Sequence, residues 1–156
     1  MQVEITMKFH LDGSIDIAAP LEKTYSSLTD PAFMAETIPD VQSHRVIDPT
    51  NFEAKVRVGI ALVRGTIEMR FSLLDMVENA HARLVGDGSG AGSRVHVDSS
   101  FDLSSIEDSK ATRMRWSADA DLSGLMAGIG AQILKGQSEK QVARIFENIK
   151  KKLEAR

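Results

Sequence analysis

The chain has 156 residues, of which 42% are hydrophobic and 26% are charged, and it contains no cysteine. This composition is typical of a chain that folds in water around one core, so we expect a single domain over residues 1–156. The lack of cysteine excludes disulfides, thiolate nucleophiles and thiolate metal sites. A net charge of -3 gives no overall attraction to nucleic acid.

The sequence offers no sign of membrane insertion or export. No run approaches the roughly 18 apolar residues that a membrane-spanning helix needs. Residues 1–4 lack the basic and then apolar pattern that begins a signal peptide. Together with the absence of cysteine, these features favour a cytoplasmic protein with no nucleic-acid partner and no transmembrane segment.

The N-terminal segment alternates between apolar and polar residues from Ile5 to Ile17. A period of two predicts a strand with one buried face. Pro20 and the pair Asp30-Pro31 then mark two helix starts, because proline fits the first helical turn and aspartate caps it. Two short helices are therefore predicted, over residues 20–28 and 30–36.

The chain from residue 41 to residue 122 repeats the alternating pattern in six further segments separated by short turns. Such a series of strands predicts an antiparallel sheet. The glycine-rich segment 86–92 lacks the lysine and hydroxyl of a phosphate-binding loop. We interpret it as a mobile turn between strands, with a loop that gates a pocket as the alternative.

From Leu125 onward, apolar residues fall at helical spacing, which predicts one long helix capped by Ser123 and ending at Arg156. A helix of this length fits across the concave face of a strongly curved sheet. The predicted fold is therefore α+β. It is a helix-grip, in which a curved seven-stranded antiparallel sheet wraps around a long C-terminal helix, with two short helices after the first strand.

Several short motifs follow one another in a characteristic order. They are GSIDIAAP at 13–20, LTDP at 28–31, GDGSGAG at 86–92 and LSGLMAGIG at 122–130. This series resembles the CoxG family of carbon monoxide dehydrogenase subunits, within the SRPBCC (START/Bet v 1-like) superfamily. The resemblance implies a quinone-like or lipid-like ligand. It also implies a partner, a molybdenum hydroxylase of the carbon monoxide dehydrogenase type, either for its assembly or for passing electrons to quinone.

A helix-grip encloses space between sheet and helix, and the alternation predicts which side chains line that space. Almost all of them are apolar, so we expect no catalytic residue there, because acid–base catalysis needs titratable groups facing the substrate. An apolar lining suits a lipophilic molecule instead. The predicted ligand-binding residues are Phe33, Met34, Phe52, Val56, Val58, Met69, Phe71, Phe101, Met114, Trp116, Met126, Ile129 and Ile133.

Three functions stay open at this point. The first is non-enzymatic binding of a hydrophobic molecule, with no cofactor other than a bound quinone or lipid. The second is an enzyme similar to polyketide cyclases or aromatases, which share this fold. The third is a structural protein whose core is filled, since methionine and aromatic residues at these spacings also occur in solid cores.

Two further features are interpreted as structural. The four histidines are scattered along the sequence and predict no metal site. The lysines at 150–152 are interpreted as a solvated helix end, with peripheral contact to an acidic membrane as the alternative. The sequence leaves the oligomeric state open, with a homodimer as one option.

Overall fold

The computed structural model describes residues 5–154 and has the predicted helix-grip architecture, a curved antiparallel sheet with a long C-terminal helix. The strands are β1 (Thr6–Ile17), β2 (Val41–Asp48), β3 (Asn51–Ile60), β4 (Val63–Val77), β5 (His81–Gly90), β6 (Ser93–Ile106) and β7 (Ala111–Gly124). The helices are α1 (Leu21–Leu28), α2 (Pro31–Thr37) and α3 (Ala131–Glu154), and a 3₁₀ helix (Leu125–Ile129) precedes α3.

The strands lie in the order β1-β7-β6-β5-β4-β3-β2, and each neighbouring pair is antiparallel. Strands β2 to β7 therefore form a meander, and β1 and β2 are the two edges of the sheet. The short helices connect these edges. At the start of α2, the Asp30 side chain accepts a hydrogen bond from the Ala32 N–H at 3.0 Å, which is the predicted cap.

The alternation along each strand assigns its two faces. On β3 and β4, Phe52, Ala54 and Met69 are buried, whereas Lys55 and Glu68 on the other face are exposed. Residues paired across neighbouring strands share a face, so the register carries this assignment across the whole sheet. The buried face is the concave one, which α3 covers.

The C-terminal helix differs from the prediction. It is interrupted by Gly124 at φ 81° and Gly130 at φ 109°, and an α-helix cannot continue through this left-handed region. Gly124, rather than the predicted Ser123, therefore precedes the first helical turn. Arg156, where the helix was expected to end, lies outside the described residues. Because α3 starts only at residue 131, the positions of its buried face do not continue the apolar spacing of residues 125–129.

The reset phase changes one predicted inward residue. Ile133 is 52% exposed, whereas its neighbour Leu134 is 2% exposed. The inward assignment of Ile133 was therefore wrong, since it extended a single helical period across the break at Gly130.

The segment 86–92 also differs from the prediction. Most of it belongs to β5, and the turn is limited to Ala91 and Gly92, both at positive φ. Gly86 and Gly88 lie opposite Phe71 and Met69 of β4, on the concave face. Because glycine contributes no side chain, the alternation that marks a strand is invisible here.

We expect Gly88→Ala to destabilise the protein by about 1–3 kcal/mol, because overpacking a filled site has that cost. A Cβ at this position would overlap Met69 Sδ and lie 2.6 Å from the Glu68 carbonyl oxygen. Urea unfolding measures the effect. The matched control is Gly59→Ala on β3, where a Cβ would meet no atom within 4 Å. The control should be neutral or slightly stabilising, and an equal loss in both variants would contradict the assigned packing.

Candidate functional site

The buried apolar core divides into two clusters along the concave face. The first contains Ile17, Ala19, Leu28, Ala82, Phe101, Leu103, Met114, Ile149 and Leu153. The second contains Val63, Ile67, Met69, Leu122, Met126 and Leu134. On β7, Met114 belongs to the first cluster and Leu122 to the second, about 27 Å further along the strand. Most small domains have one contiguous core, so this division is the main feature of the concave face.

The structure places the thirteen predicted lining residues in relation to these clusters. Phe33, Met34, Phe101, Met114 and Trp116 belong to the first cluster or pack against it. Val56, Val58, Met69, Phe71, Met126 and Ile129 belong to the second or pack against it. Phe52 is fully buried and stacks on Phe71, with ring centroids 4.8 Å apart. Only Ile133 points away, so the predicted set forms two packed groups rather than one continuous lining.

Between the clusters, two cross-strand rows of the concave face, Leu11–Ala118–Ser99–Leu84 and Phe9–Ala120–Val97–Gly86, contain four small side chains among larger ones. We call their central residues the small-residue strip, which comprises Gly86, Ser99, Ala118 and Ala120. In one row the register pairs Ser99 with Ala118, and in the other it pairs Val97 with both Gly86 and Ala120. Ser99, Ala118 and Ala120 are half-buried although α3 covers this face. The Phe71 ring fills the space beside Gly86, so the short side chains that stay partly exposed are those of Ser99, Ala118 and Ala120.

The part of α3 over the strip is equally short of bulky groups. Leu134 is buried in the second cluster and Ile149 in the first, about 22 Å apart along the helix axis. By helical spacing, Ser138, Val142 and Ile145 lie on the same face between these two anchors. All three are half-buried, and Ile145 packs against the first cluster. The helix is therefore held at two places and spans the strip between them.

Trp116 forms the wall between the first cluster and the strip. Its indole packs edge-on against Phe146 of α3, with ring centroids 5.1 Å apart. A Cβ at Gly13, its partner on β1, would lie 3.1 Å from Trp116 Nε1. Gly13 therefore makes room for the indole, which remains half-buried beside the strip.

In both rows of the strip, the positions on the neighbouring strands β1, β7, β6 and β5 carry no ionisable side chain. The one hydroxyl, Ser99 Oγ, donates to the Leu84 carbonyl oxygen at 2.7 Å and is thereby satisfied. Within residues 5–154, no three His, Asp or Glu side chains converge as metal ligands would. The surface of the strip can therefore offer an apolar contact area and no acid–base pair.

The small-residue strip was missed by the sequence prediction, which selected large apolar residues as lining. Its signal was available, since Ala118 and Ala120 occupy inward positions of a strand that otherwise carries Met114, Trp116 and Leu122. Small residues in a row of bulky ones mark a place that the core does not fill.

Three cavities that open on the surface lie elsewhere. One, of about 920 Å³, crosses the polar face of the sheet and is lined by charged residues such as Arg45, Glu68 and Asp87. The second, of about 730 Å³, lies between Ile15 of β1 and Phe146 of α3. The third, of about 510 Å³, lies beside the β3–β4 hairpin. Of the predicted lining residues, only Met69 reaches the first cavity and only Val58 the third.

Three of the histidines are paired with aspartates on the polar face. His81 pairs with Asp102, and His96 pairs with Asp87. His10 has its Nδ1 at 2.8 Å from Asp119 and its Nε2 at 2.8 Å from Asp12. The hydrogen bonds to these two carboxylates raise the pKa of His10, because only the imidazolium can donate from both nitrogens.

The lysine run near the end of α3 is engaged with carboxylates. Lys152 lies 2.6 Å from Glu36 and above the Phe33 ring, and Lys151 lies 3.4 Å from Glu147. The hydrogen bond from Lys152 lowers the pKa of Glu36. The pair of Lys152 and Glu36 connects α3 to α2. No helix in the described part of the chain combines the length and apolarity needed to cross a membrane.

Comparison with known proteins identifies the family of the chain and structures with a similar fold. The sequence pattern of the CoxG family of carbon monoxide dehydrogenase subunits matches residues 13–154. No curated protein is similar enough to this sequence to count as a match.

Solved structures resemble the chain over nearly its whole length. A conserved protein from Geobacillus kaustophilus has a TM-score of 0.84 at 26% identity, covering 93% of this chain and 95% of the other. A START superfamily protein from Mycobacterium smegmatis has a TM-score of 0.70 at 12% identity, covering 93% and 97%. The Zhui aromatase/cyclase from Streptomyces sp. R1128 has a TM-score of 0.69 at 14% identity, covering 95% and 94%. The last two show the fold alone.

We expect His10→Gln to remove a pH-dependent part of the stability. Because the folded pKa of His10 is raised, its contribution is fully present below the unfolded pKa of about 6.5 and is lost as pH rises through the folded value. Unfolding free energies of both proteins, measured from pH 5 to 9, should therefore differ most at low pH and converge at high pH. Asp119→Asn should reduce the same difference. A constant difference across this range would contradict the assignment.

Proposed function

Because the chain belongs to the CoxG family of carbon monoxide dehydrogenase subunits, we propose that it is a non-enzymatic binding protein for one quinone-like or lipid-like molecule. The ligand lies over the small-residue strip, beneath α3. In this role the protein serves a molybdenum hydroxylase of the carbon monoxide dehydrogenase type, as an accessory in its assembly or as an adaptor that passes electrons to quinone.

The observation that carries the proposal is the divided core. Bulky apolar side chains fill both ends of the concave face, whereas Ser99, Ala118 and Ala120 between them are only half-buried. A helix held at Leu134 and Ile149 keeps its distance from the strip even when nothing lies beneath it. The proposed ligand space lies between this helix and the strip, where a flat apolar molecule would replace water.

The chemistry of the strip favours binding over catalysis. Its residues can gain from burial of apolar area, at roughly 25 cal/mol per Å². A ligand that buries on the order of 300 Å² would thus gain roughly 7 kcal/mol before the cost of association. The aromatase/cyclase alternative has only the shared fold in its favour, and the rows of the strip provide no group to move a proton.

Trp116 supplies a direct test, because it is the sole tryptophan of the chain and borders the strip. A naphthoquinone with a short isoprenoid tail quenches indole emission when the two are in contact. We expect saturable quenching that ends at one molecule per chain. Quenching that rises without saturation would mean collision in solution and would contradict a bound ligand.

We expect Ala118→Leu to weaken this binding at least tenfold, which is about 1.4 kcal/mol, because the larger side chain occupies the ligand space. The matched control is Arg115→Leu, which adds an apolar side chain to the exposed face of the same strand. Thermal unfolding separates the alternatives. In an open space Ala118→Leu is tolerated, whereas in a filled core it is overpacked and costs about 1–3 kcal/mol. A large loss of stability, or unchanged quinone affinity, would contradict the proposal.

A further inference from the structure

Two arginines lie side by side on the polar face of the sheet, next to the β3–β4 hairpin. The register pairs Arg57 of β3 with Thr66, and Arg64 of β4 with Gly59. Arg57 and Arg64 are therefore diagonal neighbours, with Cα atoms about 7–8 Å apart. Both line the third cavity, of about 510 Å³. Two side chains of this length can reach one ligand within that space.

The charges of these two arginines are not compensated across the strands. In the two preceding rows of the same face, Lys55 stands opposite Glu68, and Glu53 stands opposite Arg70. Both rows carry ion pairs, with nitrogen–oxygen distances of 3.7 Å and 2.9 Å. In the next two rows, by contrast, threonine and glycine stand opposite the arginines. Within residues 5–154, neither of these arginines forms an ion pair.

Gln42 holds Arg57 in place without neutralising it. The register of β2 on β3 shifts between Val41 and Ser43, so Gln42 is the extra residue of a β-bulge, a feature that redirects side chains. The orientation of its amide is assigned from its hydrogen-bond partners. The amide oxygen accepts from Arg57 Nη2 at 3.0 Å and from Nε at 3.1 Å, and the nitrogen donates to Thr66 Oγ1 at 3.2 Å. A guanidinium has five N–H donors, so three of them remain for a ligand.

The rest of the cavity lining leaves room for an anion. A Cβ at Gly59, opposite Arg64, would meet no atom within 4 Å, so the surface there is open. Among the described residues, the one carboxylate of the lining is Asp40. It lies 3.1 Å from Arg144, whose hydrogen bond lowers the pKa of Asp40 and keeps it ionised and paired. The charge left in the cavity is therefore that of its two arginines.

We propose that this cavity binds a small soluble molecule that carries a diphosphate group, held between the Arg57 and Arg64 guanidinium groups. The planar fork of arginine matches the geometry of phosphate oxygens and donates two parallel hydrogen bonds to them. Two such forks suit the two phosphates of a diphosphate, whereas a carboxylate fills only one.

A small ligand fits this place better than an extended anionic surface does. The same face of the sheet carries the carboxylates of Glu53, Glu68, Asp87 and Asp121, none of which is buried. An extended anionic surface would repel these carboxylates, whereas none of them lines the cavity. The proposal concerns the polar face and does not depend on a ligand over the small-residue strip.

Isothermal titration calorimetry at low salt tests the site, with inorganic pyrophosphate as the probe. We expect saturable binding of one pyrophosphate per chain, weakened by added salt because the contacts join opposite charges. Arg57→Gln and Arg64→Gln should each lower the affinity about tenfold or more, since each removes one charged fork. The matched control is Arg70→Gln, which removes the same charge from the same face of β4 outside the cavity. The control should bind pyrophosphate as the wild type does.

Substitutions of Gln42 test its role in positioning Arg57. In Gln42→Glu, the carboxylate keeps the reach of the amide and still holds Arg57, but it neutralises the guanidinium. We expect this variant to be at least as stable as the wild type in thermal unfolding and to lose pyrophosphate binding. Gln42→Leu leaves Arg57 charged but no longer held, so it should weaken binding less than Gln42→Glu does. Equal affinities in Gln42→Glu and the wild type would contradict the assignment.

The remaining outcomes separate this site from other sources of anion binding. Absence of saturable pyrophosphate binding would overturn the proposal, and so would an equal loss in Arg70→Gln, which would indicate attraction to surface charge in general. Sedimentation with vesicles of phosphatidylcholine and phosphatidylglycerol distinguishes lipid head groups from a soluble diphosphate. Sedimentation that depends on Arg57 and Arg64, without pyrophosphate binding, would also overturn it. Quenching of Trp116 by the naphthoquinone should be unchanged in every variant, so a failure here leaves the function proposed for the strip untouched.

Discussion

Helix α3 is anchored by apolar side chains at two places about 22 Å apart, Leu134 in the second cluster and Ile149 in the first. Between these anchors the helix presents Ser138 and Val142, and the sheet presents the small-residue strip. The two anchors set the position of the helix over this interval. The half-buried side chains of the strip and the wall formed by Trp116 lie within this interval, where we place the proposed ligand.

Glycine placement makes the second anchor possible. On β5, Gly86 and Gly88 leave the space that Phe71 and Met69 of β4 occupy, so these large side chains lie flat against the sheet. At the other end, Gly124 and Gly130 break the helical path and turn the chain into α3. Glycine in strands and near helices weakens both elements. Here the cost is offset by close packing of the second cluster.

Much of the fold could be predicted because one face of each strand is buried, and the alternation from Ile5 to Leu122 therefore indicates the sheet directly. The break at Gly130 could not be predicted, since apolar spacing continues through it and only the backbone angle shows the interruption. The second half of β5 was hidden because its inward positions, Gly86 and Gly88, are glycines. Large apolar residues identify the two clusters, whereas the proposed ligand space between them is marked by Ala118 and Ala120, which a search for large apolar residues overlooks.

Native mass spectrometry of the chain purified from its native host, followed by solvent extraction, tests the central claim that the fold holds one apolar molecule beneath α3. Our account predicts a complex with one quinone-like or lipid-like molecule per chain, which is displaced when the protein is denatured. A chain that carries no such molecule, and that also takes up none when menaquinone is added, would contradict the account.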